Sequence, residues 1–68
     1  MGVAFDGRRI WAANFFGNNV SALRGSNGAY LRTFVVGVNP IDVLFDGTSI
    51  WVTNQNSGTV SKIGRMAP

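Results

Sequence analysis

The chain repeats itself. Displaced by 40 positions, Val3, Phe5, Asp6, Gly7, Ile10, Trp11, Asn14, Val20 and Ser21 fall on Val43, Phe45, Asp46, Gly47, Ile50, Trp51, Asn54, Val60 and Ser61, and Leu23 falls on Ile63. Identities held in one register across turns and apolar runs alike define a structural unit of about 40 residues. Such a unit cannot bury its own apolar surface and stacks on copies of itself. That period suits β-propeller blades as well as helical pairs of the HEAT or armadillo kind, so residue type has to decide between them.

Residue type points to strands. Val3 to Phe5, Ile10 to Phe16, Val20 to Leu23 and Tyr30 to Val36 are short runs rich in β-branched and aromatic residues, bounded by Gly, Asn, Asp or Ser. No stretch carries an apolar stripe at helical spacing. Asp6-Gly7, Asp46-Gly47 and Asn27-Gly28 supply the positive φ that tight hairpins need. Phe16-Gly17-Asn18-Asn19 and Asn56-Ser57-Gly58-Thr59 turn the second strand of each unit into the third. The expected fold is all-β, with antiparallel four-stranded units: residues 2–40 form the first, and residues 41–68 a second, partial one. Gly64 to Pro68 is too short and too poor in strand formers to supply its fourth strand. Pro40, at the junction, predicts an extended Asn39.

A sheet covered on both faces is apolar on both sides, and Ile10-Trp11-Ala12-Ala13 and Ile50-Trp51-Val52 read that way. Both Trp11 and Trp51 are therefore expected in the core. Asp6 and Asp46 read as turn residues whose carboxylates accept backbone N–H groups just downstream. Asn14 and Asn54, at matching positions, are expected to cap backbone groups at the strand ends.

Trp51-Val52-Thr53-Asn54 resembles the Tyr-Val-Thr-Asn motif of the YVTN family of β-propeller repeats, with Trp in place of Tyr, and Trp11-Ala12-Ala13-Asn14 is a looser match. The string from Phe45 to Asn54, followed by Gly58 to Ile63, is similar to YVTN and NHL-type blades and, more distantly, to those of the virginiamycin B lyase family. The resemblance covers nearly the whole chain and implies a propeller scaffold, a fold that hosts many unrelated functions. The lyase likeness would imply an active-site histidine and a bound magnesium ion. The chain contains no histidine, which argues against that activity.

Two such units do not close a ring, since propellers have about four to eight blades. The expected assembly is a homo-oligomer of this chain, a trimer with six blades or a tetramer with eight, closed by head-to-tail contacts. The rival is a fragment of a longer propeller.

The loops expected at one axial mouth carry Phe15, Phe16, Asn18, Asn19, Asn39, Gln55 and Asn56. Amides that donate and accept, set beside aromatic rings, suit a carbohydrate or another neutral polar ligand. The opposite rim is expected to collect Arg8, Arg9 and Arg24, with Lys62 and Arg65, from a chain of net charge +3. Without a dense basic cluster or a nucleic-acid module, this reads as solubilising charge, and no nucleic-acid partner is expected. Catalysis finds little support: there is no cysteine, the acids are Asp6, Asp42 and Asp46 alone, and Ser21 and Ser61 have no activating base. A ring of Asp42 copies around an oligomer axis would offer oxygen ligands to a hard cation, yet one aspartate per chain is thin support, so no metal and no cofactor is expected. No window approaches the roughly 18 apolar residues of a membrane helix, and the start lacks a signal-peptide pattern. A soluble, non-enzymatic binding or structural scaffold is the expectation, in a compartment that composition leaves open.

Overall fold

A computed structural model describes residues 2–64. It is all-β: seven antiparallel strands and, among the described residues, no helix. Strands β1 (Val3–Phe5), β2 (Arg9–Asn14), β3 (Asn19–Arg24) and β4 (Tyr30–Val35) form a four-stranded meander in the order β1-β2-β3-β4. Strands β5 (Pro40–Phe45), β6 (Ser49–Asn54) and β7 (Thr59–Gly64) form a three-stranded one in the order β5-β6-β7. Residues 65–68, including Arg65, lie outside the described residues.

The hairpins follow from their turn residues. Gly7, Gly28, Gly47 and Gly58 have φ of 97°, 75°, 102° and 62°, and Asn18, the counterpart of Gly58, has φ 55°. Asparagine tolerates this left-handed region, so both second turns keep one backbone shape with different residues. Pairing repeats as well: Ala4 opposes Trp11 and Trp11 opposes Ala22, just as Leu44 opposes Trp51 and Trp51 opposes Lys62.

Two strand ends differ from expectation. β2 stops at Asn14, and Phe15 and Phe16 belong to the following turn, where Gly17 N–H donates to the Asn14 carbonyl at 3.1 Å. Asn39 is not extended but left-handed, φ 55°, although Pro40 follows it. The steric bias imposed by a following proline is outweighed by the hydrogen bonds that the turned Asn39 makes to Phe15, Asn18, Gln55 and Asn56.

The core lies between the sheets, and β5 packs against β1 and β2. The first sheet contributes Trp11, Ala13, Val20 and Ala22; the second contributes Val43, Ile50, Val52 and Ile63. Phe34 of β4 closes over Trp11, ring centroids 5.4 Å apart. Gly2 sits where no side chain fits, since a Cβ there would stand 2.4 Å from the backbone nitrogen of Val43.

Side chains alternate across a strand, so the buried sets identify the faces. The first sheet buries the face of Trp11. The second buries the opposite one, that of Ile50, Val52 and Asn54, and turns Trp51 outward. Trp11 is fully buried whereas Trp51 is half-buried, so the placement of both indoles in the core holds for Trp11 alone.

Candidate functional site

Three places on this fold carry groups able to engage a partner. The first is the loop end, where the turn after β2, the β4–β5 linker and the turn after β6 meet. Asn39 is its hub. Its N–H donates to Asn18 Oδ1 at 2.9 Å, its Nδ2 donates to the Phe15 carbonyl at 3.0 Å, and its Oδ1 accepts from Asn56 Nδ2. Its carbonyl accepts the Gln55 N–H at 3.0 Å. Alongside, Val38 N–H donates to Ser57 Oγ at 3.1 Å, and the Val38 carbonyl accepts the Asn56 N–H at 3.2 Å. The linker is thereby tied to both turns.

Of the residues predicted to line a ligand mouth, Phe15, Asn18, Asn39, Gln55 and Asn56 do come together here. The amides of Asn18, Asn39 and Asn56 are nonetheless spent, in large part, on joining one sheet to the other. Asn19 is not in the group: its Oδ1 accepts Asn14 Nδ2 at 2.7 Å within the β2–β3 hairpin. Phe16 meets Phe15 edge-on at 5.0 Å and is 92% exposed, a ring open to solvent.

Asn14 and Asn54 do not cap backbone. Asn14 Nδ2 donates to Asn19 Oδ1 and, at 2.9 Å, to Ser21 Oγ; Asn54 Nδ2 donates to Thr59 Oγ1 at 3.3 Å and Ser61 Oγ at 2.9 Å. Each amide bridges its strand to the next through a side chain, because the cross-strand neighbours are themselves hydroxyl or amide residues.

The second place is the opposite end. Phe5, Arg8, Arg9, Arg24, Ser26 and Leu31 line an open cleft of about 580 Å³. Arg9 and Arg24 face each other directly across β2 and β3. Lys62, expected at this rim, stands instead over the Trp51 ring at 5.2 Å. Asp42 is exposed on β5, and its N–H donates to Thr53 Oγ1 at 3.2 Å. Among the described residues no group of three or more acidic, histidine or cysteine side chains converges.

The third place is formed by the two outward sheet faces; that of the second sheet carries one of two aspartate–tryptophan units, and the other unit lies in the core. Asp6 Oδ1 accepts the N–H groups of Arg8 and Arg9 at 2.9 and 2.7 Å, and Oδ2 accepts the Trp11 indole N–H at 2.9 Å. Asp46 repeats this with Thr48 and Ser49, both 2.8 Å, and the Trp51 indole at 2.5 Å. Burial raises the Asp6 pKa, but the Arg9 amide, the Trp11 indole, the Arg8 amide and the Arg9 charge outweigh it, leaving it below the ordinary 3.8. Asp46 is held well below the ordinary carboxylate range by the Trp51 indole first, then by the Ser49 and Thr48 amides. The turn role expected of both aspartates is what the backbone bonds show; the link to tryptophan was missed. The repeated spacing of Asp6 to Trp11 and Asp46 to Trp51 was the available signal.

On the outward face of the second sheet, Leu44 and Val60 are 64% and 59% exposed around Trp51. On that of the first, Val3 and Phe5 are 67% and 59% exposed. Each has its counterpart in the core or against it: Ala4 and Val20 for the former pair, Val43 and Phe45 for the latter. Comparison with protein-family models, with curated proteins and with solved structures finds no match to this chain.

Proposed function

We propose that this chain is a non-enzymatic β-propeller repeat unit whose copies stack head to tail into a closed ring, a trimer or tetramer serving as a structural or interaction scaffold. One observation carries the reading: equivalent residues exchange burial between the two sheets. Val20 is fully buried and Val60 is 59% exposed; Val43 is 8% exposed and Val3 67%. The chain thus presents, uncovered, both halves of the interface it builds inside itself. A second copy laying its Val3, Phe5 and Ile10 face on the Trp51 face of the first would repeat that interface. Contacts of this kind are heterologous, and they close when the rotation permits. Large uncovered apolar faces favour such association.

The junction between copies would be wider than the one within a chain. Leu44, Thr53 and Lys62 stand where Ala4, Ala13 and Ala22 stand in the inner interface, and Asp42 stands where Gly2 does.

Complementary variants test this reading. Leu44→Asp blocks one half and Phe5→Asp the other, so each alone should stay smaller than the unaltered chain. Mixed in equal amounts, they keep one intact junction and should form a one-to-one dimer by sedimentation velocity. Two variants that remain separate when mixed would contradict head-to-tail stacking.

A second reading keeps the loop end as a site for a carbohydrate or other neutral polar ligand. The open ring of Phe16 supports it, because an exposed aromatic face beside amide groups offers both stacking and hydrogen bonds to a sugar. A thermal-shift screen of soluble sugars tests it: a shift abolished by Phe16→Ala supports binding there, and no shift with any sugar opposes it.

A further inference from the structure

Among the described residues the two sheets differ by one strand, the one that in the first sheet covers the tryptophan. In the first sheet β4 pairs along β3, with Phe34 opposite Val20 and Arg32 opposite Ala22. Phe34 thereby reaches the Trp11 ring, and the Arg32 guanidinium stands over Phe34 at 4.9 Å. In the second sheet, among the described residues, β7 pairs with β6 alone. The residues that would direct a fourth strand are nevertheless in place: Val60 where Val20 is, and the Trp51 ring where Trp11 is. Over Trp51 lies the Lys62 ammonium at 5.2 Å instead of a phenyl ring.

We infer that the free edge of β7 is an acceptor for an extended peptide strand carrying an aromatic residue opposite Val60 and an acidic residue opposite Lys62. Every second residue of an edge strand turns its N–H and C=O outward, so backbone pairing supplies affinity and the flanking side chains supply selectivity. The aromatic position follows from β4, where the residue facing Val20 covers the tryptophan. The acidic position follows from a difference between the sheets. Ala22 tolerates Arg32 across the strands, whereas Lys62 opposite an arginine sets like charges face to face, which is unfavourable. A glutamate there would draw the Lys62 ammonium off the indole and leave the ring to the incoming aromatic. The recognised pattern is acidic-x-aromatic in an antiparallel strand. The backbone pairing uses the edge of the sheet, while the incoming aromatic lies on the Trp51 face, as Phe34 lies on the Trp11 face inside the chain.

The test uses the unaltered chain and three synthetic peptides built on residues 29–36. The first carries Arg32→Glu, the second keeps the arginine, and the third carries Arg32→Glu with Phe34→Ala. Amide hydrogen exchange of Thr59 to Gly64 reads edge pairing, and titration calorimetry reads affinity. The glutamate peptide should protect alternate amides of β7 and bind about fivefold more tightly than the arginine peptide. Loss of the phenyl ring should weaken binding about tenfold. In the exposed-site variant Lys62→Ala, which leaves the fold intact, the preference for glutamate over arginine should vanish. No protection of β7 with the glutamate peptide would overturn the inference, as would equal affinity of the phenylalanine and alanine peptides. Edge amides already protected without peptide would overturn it too, by showing the edge occupied.

Discussion

Trp51 donates its indole N–H to Asp46 Oδ2 at 2.5 Å, the bond that Trp11 makes to Asp6, yet one pair faces outward and the other lies in the core. The same local unit therefore occurs in two environments in one chain. Differences between paired substitutions report the environment and not the unit.

Asp6→Ala removes the acceptor for two backbone amides and one indole in a buried setting. Leaving such donors unpaired should cost about 2 kcal/mol, read as a lowered urea midpoint. Asp46→Ala should cost measurably less, because water reaches the freed donors at that exposed turn.

The same carboxylates set an acid limb. Both titrate below the ordinary 3.8 when folded, so the folded state binds fewer protons than the unfolded one once the pH falls to that value. The stability they contribute is complete above about pH 5 and declines progressively below it. Urea midpoints between pH 2 and 7 should show the decline. Asp6→Asn should flatten it more than Asp46→Asn, whose charge is screened by solvent. An unchanged limb in Asp6→Asn would count against the buried bonds.

Val20 and Val60 occupy equivalent positions with opposite exposure, 0% and 59%. Val20→Ala should destabilise the fold by about 2 kcal/mol at any chain concentration. Val60→Ala should leave the unfolding of dilute chain within about 0.5 kcal/mol of the parent but weaken association, so its midpoint should fall only at high concentration. Thermal melts across a dilution series separate these outcomes.

Asn39 tests whether the loop end is a staple. Asn39→Ala loses its side-chain bonds and puts alanine, which tolerates the left-handed region less well than asparagine, at φ 55°, and should cost about 2 kcal/mol. Asn39→Gly retains the backbone conformation and should fall between parent and alanine in thermal midpoint. Equal loss in both would assign the whole effect to the hydrogen bonds.

The strand order within each meander was legible because the turn signals are local. Asp6-Gly7 and Asn27-Gly28 dictate hairpins whatever the surroundings. The conformation of Asn39 was not, because it depends on Asn18, Phe15 and Asn56, 21, 24 and 17 positions away. The tryptophans were misread for a similar reason. Trp11 and Trp51 have nearly the same neighbours in sequence, and only the stacking of one sheet on the other decides which is covered. The candidate loop site was legible as a cluster, since turns at one end of a meander converge. That its amides are engaged with one another follows from geometry that no spacing reveals.

The most direct test of stacking is the mass of the unaltered chain in solution by light scattering coupled to size-exclusion chromatography. Head-to-tail closure predicts a sharp species at three or four times the 7.3 kDa of one chain. A single species at 7.3 kDa across micromolar to millimolar concentration would contradict it.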